Sequence, residues 1–213
     1  MSNSYIETLR TWNKIAALYE EKFMDLDLYD HTYDFFSDAI KKEKPFILDA
    51  GCGPGNISRY LLSKHPDFKI FGIDVAPNMV ALARKNNPAA KFSVVDLRSI
   101  DQFQTKYDGI ICGFGLPYLS EADAKKFIFD CHNLLHESGV LYLSFVAGDP
   151  KQSGFKTGTP GDRVYFYYHS AEKIRKQLVE TGFEELKGFE VPYKTSDTER
   201  EIHSVIITRK RET

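Results

Sequence analysis

Hydrophobic residues along this chain alternate between short β-rich runs and longer segments with helical spacing. After Pro45, short runs rich in β-branched or aromatic residues predict strands at 46–50, 69–74, 91–95, 107–112 and 140–145. Between them, apolar residues recur every three or four positions and predict helices at 57–64, 78–85 and 121–136. Strands that alternate with helices predict a parallel sheet with right-handed crossovers.

The pattern changes on either side of this alternation. Over residues 5–23, approximately, apolar residues at helical spacing predict one amphipathic helix. Beyond the fifth strand, a helix capped by Ser170 precedes two more strands at 183–191 and 203–209. We therefore predict a single domain of four parts, namely an N-terminal helical segment at 1–44, a core at 45–147, an insertion loop at 148–168, and a C-terminal helix with a β-hairpin at 169–213.

Composition narrows the class of protein. With 213 residues, 42% hydrophobic, 27% charged and a net charge of −2, the chain is typical of a globular domain and has no basic excess for nucleic acid. Its apolar runs are too short to span a bilayer and its start has no basic or apolar leader segment, so we expect a cytoplasmic monomer or homodimer. Its three cysteines form no C-x-x-C pair, so we expect neither disulfides nor a metal site.

The first predicted strand ends in a glycine-rich loop, Gly51-Cys52-Gly53-Pro54-Gly55, that leads into a helix. Glycine lets the backbone turn sharply and approach a ligand closely, so the loop predicts a cofactor site. The dinucleotide fingerprint G-x-G-x-x-G needs a sixth glycine where this chain has Asn56. Asp49 also places a carboxylate where a phosphate would be repelled. The loop therefore argues against NAD or FAD and favours a cofactor without phosphates.

Two more carboxylates follow the next two predicted strands. Asp74 ends the second strand, and Asp96 comes directly after the third. Open α/β sheets bind ligands at the carboxyl ends of their strands, so both side chains are expected at one edge. A carboxylate at Asp74 can accept charge-assisted hydrogen bonds from both hydroxyls of a ribose.

These residues resemble motif I and the acidic positions of the class I S-adenosylmethionine-dependent methyltransferases. The resemblance covers nearly the whole chain and implies S-adenosylmethionine as cofactor. It implies an α/β fold with a Rossmann-like, doubly wound seven-stranded sheet, a terminal antiparallel β-hairpin and an N-terminal helical lid. It also implies that Asp49 accompanies the charged amino acid moiety, that Asp74 binds the ribose, and that Asp96 contacts the adenine amino group.

The resemblance extends to other side chains around the cofactor. Leu97 would read the adenine through its backbone, Val75 and Met79 would flank the ring, and Tyr19 would contact the cofactor from the lid. The remaining cofactor-binding candidates lie in the glycine-rich loop, just after it, and at the end of the fourth strand: Gly51, Cys52, Gly53, Asn56, Cys112 and Gly113.

The acceptor is indicated less directly. The fourth strand leads into Gly115-Leu116-Pro117-Tyr118, whereas members of the family that methylate bases often have Asp/Asn-Pro-Pro-Tyr there. This departure predicts a small-molecule acceptor and no nucleic acid. Methyl transfer from a sulfonium mainly requires alignment and exclusion of water, so a catalytic base is optional. Tyr118 and His31 are candidate catalytic residues that could accept a proton or orient the acceptor.

Two other functions stay open at this point. A nicotinamide-dependent oxidoreductase would also place Asp74 on a ribose, but it needs glycine or alanine at position 56. A non-catalytic S-adenosylmethionine-binding sensor or assembly subunit would keep every binding motif, so the sequence separates it from an enzyme only weakly.

Overall fold

The computed structural model describes residues 3–158, 161–195 and 200–212. The strands are β1 Phe46–Ala50, β2 Lys69–Asp74, β3 Lys91–Val94, β4 Tyr107–Gly113, β5 Leu135–Val146, β6 Gly154–Thr157, β7 Arg163–Phe166, β8 Phe183–Lys194 and β9 Arg200–Lys210. The α-helices are α1 Asn3–Lys14, α2 Ala16–Phe23, α3 Asp30–Ala39, α4 Asn56–Lys64, α5 Pro77–Asn86, α6 Glu121–Leu134 and α7 Ala171–Thr181.

The main sheet has seven strands in the order β3-β2-β1-β4-β5-β9-β8. Strands β1 to β5 pair in parallel, while β9 pairs antiparallel with both β5 and β8. Helices pack on both faces, as parallel strands require because each crossover returns over the sheet. The predicted doubly wound sheet and its terminal antiparallel hairpin are confirmed.

The central strands are buried on both faces. Residues Ile47 to Ala50 of β1, Tyr107 to Cys112 of β4 and Val140 to Phe145 of β5 lie in the interior, in two apolar clusters separated by the sheet. One cluster contains residues of α6 and α7, and the other contains residues of α3 and α4. Near-continuous apolar runs are typical of such doubly covered strands, which explains why the sequence locates them well.

The structure differs from the predicted elements mainly outside this core. The predicted single N-terminal helix is two helices, because the backbone at Ile15 (φ −94°, ψ 13°) leaves helical geometry. Helix α3 was not predicted, since it has no side-chain cap and is rich in weak helix formers such as Asp, Thr, Tyr and Phe. The predicted irregular insertion instead contains the β6–β7 hairpin. No helix in the described ranges is long and apolar enough to cross a bilayer.

Candidate active site at the carboxyl edge of the sheet

The strand order reverses between β1 and β4, which lie side by side while their connections lead to opposite flanks of the sheet. Such a switch point opens a crevice at the carboxyl ends of the two strands. The glycine-rich loop forms one wall, and its backbone is fixed because the N–H groups of Gly51 and Cys52 both donate to Ile73 O at 2.8 Å. Gly53 has a positive φ of 52°, and a Cβ there would point toward the Tyr19 ring, 3.7 Å away.

Asp74 is held at the crevice by the glycine-rich loop itself. Gly53 N–H donates to Asp74 Oδ2 at 3.0 Å, and Ala76 N–H donates to Oδ1 at 2.8 Å. Burial raises the pKa of this carboxyl, and the hydrogen bonds from the backbone of Ala76 and Gly53 oppose that rise. A carboxylate oxygen has two lone pairs, so each Asp74 oxygen keeps acceptor capacity for a ligand hydroxyl.

Asp96 is part of a small network rather than an isolated acid. Arg98 donates to both carboxylate oxygens, with Nη2–Oδ2 at 2.5 Å and Nε–Oδ1 at 3.0 Å, and Tyr5 Oη donates to Oδ2 at 2.9 Å. The Arg98 guanidinium stacks 3.6 Å from the centre of the Tyr5 ring. Burial opposes ionisation of Asp96, but the hydrogen bonds from Arg98 and Tyr5 outweigh it and keep the pKa below its usual value.

These residues line a narrow cleft between the sheet edge and helix α1, with a volume of about 120 Å³. The cleft brings together ten of the predicted site residues, seven of them at or just beyond the carboxyl ends of β1 to β4: Tyr19, Gly51, Gly53, Asp74, Val75, Met79, Asp96, Leu97, Gly113 and Tyr118. Side chains of α1 that the sequence did not single out close its outer side, namely Tyr5, Thr8, Leu9 and Trp12.

A second, wide cavity of about 570 Å³ adjoins the cleft. The two spaces share a boundary formed by Trp12, Tyr19, Gly51, Gly53, Gly113, Phe114 and Tyr118. Predicted residues Cys52 and Asn56 line this cavity and not the cleft. Its other walls include aromatic side chains that come from segments far apart in the chain: Phe23, Tyr29, Tyr33, Phe166, Tyr168, Tyr193 and His203.

Tyr118 lies on the boundary between the two spaces. Its ring contacts Trp12 edge-to-face, with centroids 5.5 Å apart, and contacts Phe166 at 6.1 Å. Burial raises the pKa of Tyr118 far above its usual value, with further contributions from Tyr19 and Asp74. The phenol is therefore neutral at physiological pH, which suits it to shaping the boundary or donating a hydrogen bond; it could accept a proton only while passing its own to another group.

The structure does not bring His31 to the site. His31 is exposed on α3 and packs against the Phe189 ring, with centroids 5.4 Å apart, whereas Tyr33 and Phe36 on the same helix point into the core. His31 therefore lies outside both the cleft and the wide cavity described above, because a helix sends residues two positions apart to different faces.

Two predicted cofactor residues lie behind the site and not on its surface. Cys112 is fully buried on β4, and burial raises the pKa of its thiol to about 12. Asp49 is also fully buried, beneath the glycine-rich loop. Neither lines the cleft or the wide cavity. The structure thus places both residues behind the site, and their direct contact with a cofactor stays a prediction.

Asp49 nevertheless has an unusual environment. Ser58 Oγ donates to its Oδ2 at 2.6 Å, while Oδ1 has no hydrogen-bond partner among the described residues. Burial raises the pKa of Asp49 to about 7, Ser58 lowers it, and the nearby Asp74 raises it. Negative charge beneath the loop would favour a cationic ligand above it, because the buried carboxylate is poorly compensated by its own surroundings.

Sequence reasoning missed Trp12, Phe114, Tyr29 and His203. The helical spacing around Trp12 was visible, yet nothing in it distinguished a residue facing a ligand from one facing the core. His203 bonds to Tyr29, which lies 174 positions earlier in the chain, and no local motif links the two. Phe114 follows β4 at a positive φ of 57°, a feature that the sequence does not display.

The fold and the crevice define a Rossmann-like α/β domain with a ligand site at its switch point. A family model described as a methyltransferase domain matches residues 47–139, from β1 to the start of β5. The chain is 29% identical over 170 residues to a malonyl-[acyl-carrier protein] O-methyltransferase of Acetivibrio thermocellus, which covers 72% of this chain and 56% of that protein. The chain spans about half the length of the curated relatives it matches.

Solved structures share the fold over the whole chain. The DhpI-SAH complex, which contains S-adenosylhomocysteine, has a TM-score of 0.73 at 14% identity and covers 100% of both chains. Magnesium protoporphyrin IX methyltransferase from Synechocystis PCC 6803, with bound S-adenosylmethionine, has a TM-score of 0.66 at 19% identity and covers 99% of this chain and 85% of that one. Residues 47–139 match a methyltransferase domain and the whole chain shares the fold of these solved structures, so the resemblance to the class I S-adenosylmethionine-dependent methyltransferases that its acids and glycines predicted is confirmed.

Proposed function

We propose that this chain binds S-adenosylmethionine in the narrow cleft and transfers its methyl group to a small molecule in the wide cavity. The observation that carries the proposal is the shared boundary between the two spaces at Gly113, Phe114 and Tyr118. A transfer reaction needs two ligand sites that meet where the reacting atoms lie. The cleft and the cavity adjoin along one boundary, which supports such a reaction.

The residues of the cleft fit the cofactor. Asp74 retains acceptor capacity for both ribose hydroxyls, and Asp96 with the Leu97 backbone borders the place where an adenine would lie beside Val75 and Met79. The backbone of Gly51 and Gly53 would approach the amino acid moiety, with Asp49 beneath it. When bound, the cofactor supplies a methyl group already activated by its sulfonium.

The protein's contribution is alignment, charge and exclusion of water. The rings of Trp12, Tyr19 and Tyr118 form one contiguous aromatic group over the boundary, with the Trp12–Tyr19 and Trp12–Tyr118 centroids each 5.5 Å apart. Asp49 and Asp74 place two carboxyl groups on the sheet side of the same space, and a cationic ligand there would favour their ionised forms. An enclosed boundary of this kind holds two reactants in line and keeps water from competing.

A small-molecule acceptor is supported by the shape and lining of the wide cavity. Its volume of about 570 Å³ lies in the range of ligand pockets, and many of its walls are aromatic side chains. The similar proteins include a malonyl-[acyl-carrier protein] O-methyltransferase and a magnesium protoporphyrin IX methyltransferase, so the family match itself selects no acceptor. The net charge of −2 also gives the chain no overall excess of positive charge that would attract a polyanion.

The proposal is tested in two stages. Calorimetric titration with S-adenosylhomocysteine should give one site per chain, and NADH should give none; binding of NADH in its place would favour the oxidoreductase alternative. Incubation of the protein and methyl-labelled cofactor with a cell extract should then label the low-molecular-weight fraction. Cofactor binding without label in any fraction across varied extracts would support a non-catalytic sensor, and label confined to nucleic acid would refute a small-molecule acceptor.

A further inference from the structure

The wide cavity contains a linked group of three ionisable side chains that the methyl-transfer proposal does not use. Tyr29 Oη lies 2.6 Å from His203 Nδ1, and Glu201 Oε2 lies 3.7 Å from His203 Nε2. All three residues line the cavity. Tyr29 and His203 are only 5% and 6% exposed, so water does not screen their hydrogen bond.

Aromatic rings fix the imidazole in place. The Tyr193 ring stacks on His203 with centroids 4.9 Å apart and planes inclined by 13°, and the Phe114 ring contacts it edge-on at 4.8 Å. Phe114 belongs to the boundary with the narrow cleft, so His203 lies one ring away from the place where the two ligands would meet. Buried rings in such contacts keep a single orientation, which a proton-transfer group requires.

The charges around the imidazole select its tautomer. Glu201 attracts the ring proton to Nε2, although 3.7 Å is longer than a hydrogen bond. Nδ1 is then the acceptor, and Tyr29 Oη donates to it. Burial lowers the pKa of His203 and Glu201 opposes this, so the ring is neutral at physiological pH. Other titratable groups that face the pair among the described residues are Tyr193 and, beside Tyr29, Tyr33, Tyr142 and Tyr19.

We propose that Tyr29, His203 and Glu201 form a proton relay for an acceptor hydroxyl group on a planar, largely apolar molecule. This proposal rests on the proposed methyl transfer at the same site. Tyr29 is the catalytic residue that would touch the acceptor, while His203 and Glu201 act through it. A hydroxyl acceptor is favoured because a carboxylate is already ionised at physiological pH and needs no proton acceptor. The aromatic walls at Phe114, Phe166 and Tyr193 favour a flat ring.

The relay balances every proton and electron pair. The acceptor hydroxyl gives its proton to Tyr29 Oη as the Tyr29 proton passes to His203 Nδ1. A lone pair of the acceptor oxygen forms the bond to the methyl carbon, the carbon–sulfur bond breaks, and its electron pair stays on sulfur. The products are a methyl ether, a neutral thioether and an imidazolium opposite Glu201. The imidazolium returns its proton to solvent after the products leave.

The test uses 4-nitrophenol, because its phenolate absorbs at longer wavelength than the phenol and so reports proton transfer without any methyl transfer. The protein is saturated with S-adenosylhomocysteine, and bound 4-nitrophenol is titrated with pH. We expect its ionisation midpoint to fall by about one pH unit or more relative to free 4-nitrophenol. Absence of binding, or an unshifted midpoint in a protein that binds S-adenosylhomocysteine, would overturn the relay and leave the cofactor proposal standing.

Variants of Tyr29 and His203 distinguish a role in proton transfer from a purely structural role in the cavity wall. Tyr29→Phe and His203→Gln should lose the shift while still binding 4-nitroanisole, which has the same ring and no acidic proton. His31→Gln, a matched change outside the cavity, should keep the shift. Each variant counts only if its affinity for S-adenosylhomocysteine stays within about twofold of the parent protein. Retention of the full shift in Tyr29→Phe would overturn the proposal.

The tautomer provides a measurement that needs no probe molecule. In ¹⁵N-labelled protein at neutral pH, the His203 signals should show a protonated Nε2 and an unprotonated, hydrogen-bonded Nδ1. Tyr29→Phe should move the Nδ1 signal toward that of a free acceptor. A protonated Nδ1 in the parent protein would reverse the direction of the bond and contradict the relay.

Discussion

The narrow cleft and the wide cavity are built in different ways. The cleft is formed mainly where β1 to β4 end, so its residues come at the ends of successive strands along the chain: Gly53, Asp74, Asp96 and Gly113. The wide cavity is assembled from α2, α3, the β6–β7 hairpin, β8 and β9, which meet only in the folded protein. The proposed cofactor site therefore consists of residues in local sequence motifs, while the proposed acceptor site depends on long-range packing.

The largest effect is expected at the glycine-rich loop. Gly53→Val should abolish measurable binding of S-adenosylhomocysteine, because the added side chain enters the cleft and its Cβ branch is disfavoured at a φ of 52°. Calorimetric titration measures the loss, and circular dichroism should show that the fold is kept.

Gly161→Val is the matched control for that change. Gly161 also has a positive φ, 88°, but nothing lies within 4 Å of a Cβ built there. The control imposes similar backbone strain and should retain cofactor affinity. If both variants lose binding equally, strain and not occupied ligand space explains the result at Gly53.

Asp74 should show the next largest effect. Asp74→Ala removes the ribose acceptor and also leaves the Gly53 N–H unpaired, so affinity for S-adenosylhomocysteine should fall by about tenfold to hundredfold, or about 1.4–2.8 kcal/mol. Asp74→Asn keeps one acceptor oxygen and should fall less. Unchanged affinity in the alanine variant would remove Asp74 from the site.

The raised pKa of Asp49 predicts that the free energy of unfolding depends on pH. Its folded pKa is raised to about 7, above the value of about 3.9 in an unfolded chain, so the folded state binds the extra proton. The stabilising contribution is complete below about pH 4 and is lost as pH rises through about 7. Relative to Asp49→Asn, the free energy of unfolding of the parent protein should therefore decline across this range.

Ser58→Ala gives a control for this assignment. The Ser58 hydroxyl lowers the pKa of Asp49 by donating to Oδ2, so its removal should move the decline to higher pH. Urea unfolding at a series of pH values measures both effects. A difference between parent and Asp49→Asn that does not vary with pH would show that Asp49 does not titrate in this range.

The hairpin should contribute least to cofactor binding. Lys14 of α1 forms an ion pair with Asp162 at 2.8 Å, and Thr11 Oγ1 donates to Arg163 O at 2.9 Å. Asp162→Asn should weaken binding of S-adenosylhomocysteine by no more than about fivefold, since Lys14 is 68% exposed and such pairs are weak. The difference from the parent should vanish at high salt. A larger loss would mean that the hairpin holds α1 closed.

The difference between the cleft and the cavity explains which site residues could be predicted from the sequence. Strand ends and turn residues are local features, so the glycine-rich loop, Asp74 and Asp96 could be assigned to one edge of the sheet from the sequence alone. Burial depth is not local, so Asp49 and Cys112 were expected to touch a ligand although the structure covers both. The wide cavity has no local signature in the sequence, because the contact between Tyr29 and His203 depends on how α3 packs on β9. The position of His31 outside the cavity likewise depends on which face of α3 packs inward.

A crystal structure of the protein with S-adenosylhomocysteine would test most directly whether the cleft and the cavity form one methyl-transfer site. We expect the ribose hydroxyls on Asp74, the adenine beside Asp96 and Leu97, and the sulfur at the boundary that includes Gly113, Phe114 and Tyr118, facing the wide cavity. A ligand bound elsewhere, or one whose sulfur faces away from that cavity, would contradict the claim that the two spaces form one methyl-transfer site.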